Sequence, residues 1–276
     1  MIKNTITYED LIKDFESRNI PFDTPGFYDH PNFMQVEEKN ASYLSNYAKF
    51  VDFRPREQAY NDYVKHTVPI AAKIFHKKFI EHGGLKPDTS VAALISKTLE
   101  KLNIWNYVVK GSMTLNFPAE SELDTRYFWS LDHDGFTTAH VWLVAPPFYV
   151  VDVALALHSF SAAETSYIAP PICAEANNII EAEIEDVISE GYCSHLQNIN
   201  VPRSDYFAAI SPQTEKFMRV FPAREALSES TKIKYIPVSV SAPDVPFEQM
   251  TSIRFNGQSA FELYENEIKG LIDSDI

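Results

Sequence analysis

Hydrophobic positions recur with two different periods along this chain, and the switches between them mark its elements. Thr7 to Ser17 reads as a helix: Thr7 caps it, Asp10 sits three residues on, and Leu11, Ile12 and Phe15 form one stripe. From Ile20 to Asn32 the chain carries Pro21, Pro25, Gly26 and Pro31, which predicts a loop. Helical spacing returns from about Glu37 to Phe53, breaks at Arg54-Pro55-Arg56, and resumes from Glu57 to about His82 with Pro69 inside it. Gly83-Gly84 stops that helix.

The next stretch changes character within a few turns. Asp88-Thr89-Ser90 supplies cap-type residues, and Val91, Leu94, Ile95, Thr98, Leu99 and Leu102 then recur at helical spacing up to Asn103. Residues 104–117, 138–144 and 148–155 are rich in β-branched and aromatic side chains and predict three strands. A polar insertion, 119–136, separates the first two. Beyond Ser159, Pro170-Pro171 precedes an expected helix from about Cys173 to Glu190, with Glu181, Glu183, Glu185 and Asp186 on its wet side. A helix over Gln213 to Val220, a strand over 233–242 and a last helix from about Ser259 to Ile272 complete the reading. The expected organisation is one α+β domain over 1–276. Within it, 87–157 is the core, 1–86 a helical N-terminal extension, and 158–276 a helical C-terminal extension with one strand.

Composition narrows the function classes. The 276 residues are 45% hydrophobic, enough for a packed core, and carry a formal net charge of −14. Such a surface repels phosphate backbones and anionic lipid, so neither nucleic acid nor membrane is an expected partner. The basic run Lys73, His76, Lys77, Lys78 and His82 reads as a solvated helix face. No apolar run approaches the ~18 residues that span a bilayer. The N-terminal residues lack the apolar region of a signal peptide, so a cytoplasmic location is expected. The two cysteines, Cys173 and Cys193, make neither a disulfide framework nor a metal clip, and read as small buried thiols. Asp132-His133-Asp134-Gly135 lacks the repeated ligands of a metal loop and reads as polar loop, placed where a lid over the neighbouring strand is conceivable. No metal or organic cofactor is called for.

The residues with the clearest chemical potential are His140 and Asp152. A three-residue connection, Ala145-Pro146-Pro147, pairs Val144 with Phe148 and stands His140 directly opposite Asp152. A two-residue turn, Pro146-Pro147, puts them on opposite faces instead. A carboxylate on one imidazole nitrogen fixes the tautomer and leaves the other nitrogen to take a proton; the alternative is a buried pair that only staples the hairpin. Ser90 opens the preceding helix, where the macrodipole and free N–H groups favour a nucleophile and its oxyanion, although an ordinary cap is what such residues usually are.

At this point the arrangement resembles a known group. Residues 87–157, with His140-Val141-Trp142 and Val151-Asp152-Val153, are similar to the core of transglutaminase-like, papain-related hydrolases. The resemblance implies an antiparallel sheet packed on a nucleophile helix. It also implies acyl transfer on an amide of a peptide or protein, a peptide bond or a glutamine side chain, through a covalent intermediate. Ser90 stands nearest the family's cysteine, with Thr89 and Asp88 beside it; His140 is the base and Asp152 its orienter. Trp142, Trp105 and Trp129 are the expected substrate-binding residues. The serine admits three accounts: a slower nucleophile, a silent relative that keeps a groove for a protein partner, or a replaced cysteine. Substrate and oligomeric state leave no mark in the sequence.

Overall fold

The computed structural model describes residues 6–132, 135–136, 139–243 and 245–274. The N-terminal part is helical: α1 (Tyr8–Ser17), α2 (Pro31–Glu37), α3 (Leu44–Phe53), α4 (Gln58–His82) and α5 (Thr89–Lys101). Thr7 and Asp10 close the expected capping box of α1, and Gly83 ends α4 at φ +65°. Asp88 caps α5, accepting from the N–H groups of Ser90 and Val91. The expected loop before Asn32 is shorter than predicted: Pro31 takes the first position of α2, and an irregular stretch precedes α3.

Ten strands follow among the described residues: β1 (Tyr107–Asn116), β2 (Arg126–Phe128), β3 (Leu131–Asp132), β4 (Gly135–Phe136), β5 (His140–Ala145), β6 (Phe148–Asp152), β7 (Ile172–Ala174), β8 (Ile179–Ile180), β9 (Ala223–Ser228) and β10 (Thr231–Ser241). Among the described residues, eight of them form one antiparallel sheet in the order β7-β6-β5-β1-β10-β9-β8, with β2 beside the far half of β1. The fold is α+β, a curled half-barrel sheet with helices at both ends. The curl is tied at its open side. Thr231 donates its hydroxyl to the Tyr167 carbonyl, Ala169 N–H donates to Ser228 Oγ, and Arg224 donates to the Ala176 carbonyl.

This topology corrects the reading of the C-terminal part. The expected helix over 173–190 is two short strands, a turn of helix at Ile184–Val187 and a helix from Glu190 to Asn198. Cys173 pairs with Val151 and Ile180 with Ala223, so sheet edges outcompete the local helical period. Asp186, expected on a wet face, is 1% exposed and binds Lys234 Nζ at 3.0 Å and the Thr114 hydroxyl at 2.8 Å. The C-terminal part thus contributes four strands, one of them pairing with β1 itself.

The two faces of the sheet bury different layers. Val141, Leu143, Ala145, Val151 and Val153 pack with α4 and α5 through residues such as Phe75, Val91, Leu94 and Ile95. Trp142, Val144, Val150, Met113 and Tyr235 face inward, where α1 and α3 fill the curl with Phe15, Tyr47 and Phe50. Gly111 makes the inner layer possible. A Cβ there would lie 2.2 Å from the Ile236 carbonyl oxygen and 2.5 Å from the Trp142 ring, at a β-bulge between Lys110 and Gly111.

Candidate functional site

The hairpin that carries His140 and Asp152 has a register outside both expectations. The turn is the two-residue Pro146-Pro147, with Ala145 paired to Phe148. By itself that register separates the two side chains. A β-bulge between this pair and the next, Leu143 with Val151, inserts one residue and restores the parity. His140 and Asp152 therefore share the inner face as diagonal rather than direct neighbours. Both are fully buried.

The pair is part of a longer chain of hydrogen bonds. Asp152 Oδ2 accepts from His140 Nε2 at 2.7 Å and from the Tyr235 hydroxyl at 2.8 Å, while Oδ1 accepts from Leu155 N–H at 2.8 Å. On its other side, His140 Nδ1 lies 2.9 Å from His158 Nε2. His158 follows the short 3₁₀ turn Leu155–Leu157 that Asp152 anchors, so the carboxylate positions both imidazoles. Trp142 lies near-parallel to the His140 ring, and Phe128 covers His158 with ring centroids 4.3 Å apart.

Electrostatics place the proton between Asp152 and His140. Burial alone would raise Asp152, but the adjacent His140 and the three donated hydrogen bonds hold it below the usual carboxylate range. Its ionised oxygens only accept, so His140 Nε2 carries the shared proton. His140 Nδ1 and His158 Nε2 share one proton, and the tautomers decide which of the two nitrogens donates it. His158 is held neutral, lowered to about 3 by burial first and by the neighbouring His140 second. His158 Nδ1 makes no hydrogen bond among the described residues, and His158 is the partly exposed end of the array. Sequence reasoning missed His158. It lies outside the strands, and only the Asp152-to-Leu155 bond brings it back over His140.

The structure does not bring Ser90 to this array. Ser90 is exposed in the first turn of α5, which packs on the Val141, Leu143 and Val151 face. His140 and Asp152 leave the same strands toward the opposite face, so the sheet stands between them and the helix. Asp88 acts as the cap, and Thr89 begins the helix. Trp142 and Trp105 are 2% and 5% exposed, within the inner layer rather than open to a substrate. Trp129 is half-buried, bonds the Glu185 carbonyl at 2.7 Å and lies parallel to the exposed Tyr127. Cys173, half-buried beside Asp152, is pushed up to about 12 by burial, which leaves it an inert thiol. Of the acidic run at 132–135, His133 and Asp134 lie outside the described residues.

Asp52, Tyr107, Trp142, Tyr149, Arg224 and Tyr235 line a cavity of about 30 Å³, room for one water molecule. Among the described residues, no group of three or more His, Cys, Asp or Glu is placed to hold a metal ion. None of their helices is long and apolar enough to cross a membrane. Compared with protein-family models, with curated proteins and with solved structures, the chain matches none.

Proposed function

We propose that the protein is a hydrolase of the acyl-transfer class in which His158, backed by His140 and Asp152, activates water directly. The reading departs from a transglutaminase-like mechanism, because Ser90 is on the wrong face of the sheet and no covalent intermediate is required. The observation that carries it is the 2.9 Å bond between His140 and His158, which links a buried carboxylate–imidazole pair to a nitrogen at the partly exposed end.

The chemistry is a relay. The relay starts from a neutral His140 and a His158 protonated on Nε2: water at His158 Nδ1 gives up a proton, and the Nε2 proton of His158 passes to His140 Nδ1. His158 ends neutral in its other tautomer. The positive charge rests on His140, where the buried Asp152 carboxylate stabilises it. The low basicity of His158 is therefore no obstacle, since it never holds the charge. Hydroxide adds to the acyl carbonyl, and the returning proton protonates the leaving group as the tetrahedral intermediate collapses. An acyl group of a peptide or protein is the substrate class this reading carries forward.

A second reading is favoured by the complete burial of His140, Asp152 and the Tyr235 hydroxyl: the array is a staple joining β5, β6 and β10, in a binding protein without catalysis. One experiment separates the two. Hydrolysis of chromogenic acyl esters, acyl thioesters and a peptide library is measured for the native chain and for His158→Gln, His140→Gln and Ser90→Ala. Turnover that falls at least about 100-fold in both histidine variants and persists in Ser90→Ala supports the relay. An acyl adduct on Ser90, or no turnover above the variants, sinks it; the latter leaves the staple.

A further inference from the structure

The break between α3 and α4, Arg54-Pro55-Arg56, places two arginines where no acid pairs with them among the described residues. Neither Arg54 nor Arg56 forms an ion pair among the described residues, although the formal net charge is −14. Both are half-buried, and each has a buried guanidinium nitrogen without a hydrogen-bond partner, Nη1 of Arg54 and Nε of Arg56. Buried unpaired donors cost about 1–3 kcal/mol each, more when charged, so their persistence needs a reason.

Packing holds the two groups in place. The Arg54 guanidinium stacks on Trp105 at 4.5 Å and on Tyr60 at 5.2 Å. Arg56 Nη1 donates to the Asp52 carbonyl at 3.4 Å. Burial lowers the Arg54 guanidinium, with the neighbouring Arg56 charge adding to the effect against the nearby tyrosines. The Tyr60 hydroxyl, close enough to both arginines to feel their charge, accepts from Trp105 N–H at 2.9 Å. Its own proton has no acceptor among the described residues. Tyr60 belongs to the first turn of α4, which no side chain caps. The corner therefore holds two cationic groups that repel each other and a free hydroxyl donor.

We propose that Arg54, Arg56 and Tyr60 form a binding site for a phosphate-type oxyanion. A dianion relieves the repulsion between the guanidiniums and satisfies the unpartnered donors together, which a monoanion does only in part. Asp52, which feels the charges of Arg224 and Arg56, opposes the positive potential of the corner when ionised. Burial raises Asp52 to about 7, so its opposition falls as the solution becomes mildly acidic.

The test uses the full chain and inorganic phosphate, titrated at constant ionic strength with sodium chloride as the compensating salt. Isothermal calorimetry and the thermal unfolding midpoint are both read. The proposal expects saturable one-to-one binding and a rise in the midpoint, each weakened at least about tenfold in Arg56→Gln and in Arg54→Gln. Arg56→Gln leaves the Trp105 stack intact, so its result stands even where Arg54→Gln does not fold. Acetate is the comparison ligand. No saturable response up to about 20 mM phosphate overturns the site. So does an equal response to acetate, or phosphate binding that survives both substitutions.

Discussion

His158 gives the sharpest test of the electrostatics, because its protonation is coupled to folding in one direction. Its neutral form is favoured in the folded state down to about pH 3, against 6.5 for the free side chain. Below pH 6.5 the unfolded chain therefore takes up a proton that the folded chain refuses, and stability falls as pH falls. Each unit corresponds to about 1.4 kcal/mol, so a drop to about pH 5 removes about 2 kcal/mol. The native chain alone does not reveal this. Asp52 is raised from 3.8 to about 7 by burial, so over the same range the folded state binds its proton first and gains stability as pH falls. The two effects oppose each other, and the comparison must be made by difference. His158→Gln keeps an N–H donor for His140 and removes the titration. Guanidinium unfolding at about pH 7.5 and about pH 5 should show the native chain losing about 2 kcal/mol more than the variant. A difference below about 0.5 kcal/mol, or one of opposite sign, refutes the neutral imidazole at His158.

The same measurement on Asp52→Asn should show the mirror image: the native chain loses a few kcal/mol relative to the variant as pH rises from about 4 to about 7. His140→Ala leaves Asp152 ionised and without its main partner in a dry layer, and should cost about 3–5 kcal/mol by chemical denaturation. Gly111→Ala forces a methyl against the Ile236 carbonyl and the Trp142 ring, so it should lower stability by at least about 2 kcal/mol. Its near-ultraviolet dichroism should change as Trp142 shifts. Ser90→Ala should be silent within about 0.5 kcal/mol, whereas Asp88→Ala should cost about 1 kcal/mol through the lost cap.

Much of the architecture is legible because local chemistry and tertiary structure agree there. The Thr7–Asp10 box, Gly83 after α4, Asp88 before α5 and the aromatic, β-branched runs of β1, β5 and β6 each carry their own physical signal. The illegible parts depend on partners distant in sequence. Ile172-Cys173-Ala174 is a strand because β6 offers it an open edge, and Asp186 is buried because Lys234 and Thr114 wait for it. Gly111 carries no motif; its need appears only when Trp142 and the Ile236 carbonyl close over it. His158 belongs to the same class, since a histidine beyond the last core strand becomes part of a site only through the Asp152 anchor of the intervening turn.

The site itself turns on a question of parity and a question of side, and the sequence answers neither. Parity was decided by a bulge: a two-residue turn put His140 and Asp152 on opposite faces, and one inserted residue brought them back. Nothing in Phe148-Tyr149-Val150-Val151 announces an insertion, because either register buries apolar residues. Side was decided by which face α5 covers. Val141, Leu143 and Ala145 are as apolar as Trp142 and Val144, and the run reads as a strand buried on both faces. Such a strand cannot say which of its faces receives a given helix. The expectation of a nucleophile helix silently assumed that α5 lay over His140; the structure puts it over Val141 and Leu143. One residue of phase thus separates an arrangement with a serine at the base from one with a second imidazole there. The relay we propose through His158 starts from the phase the chain adopts.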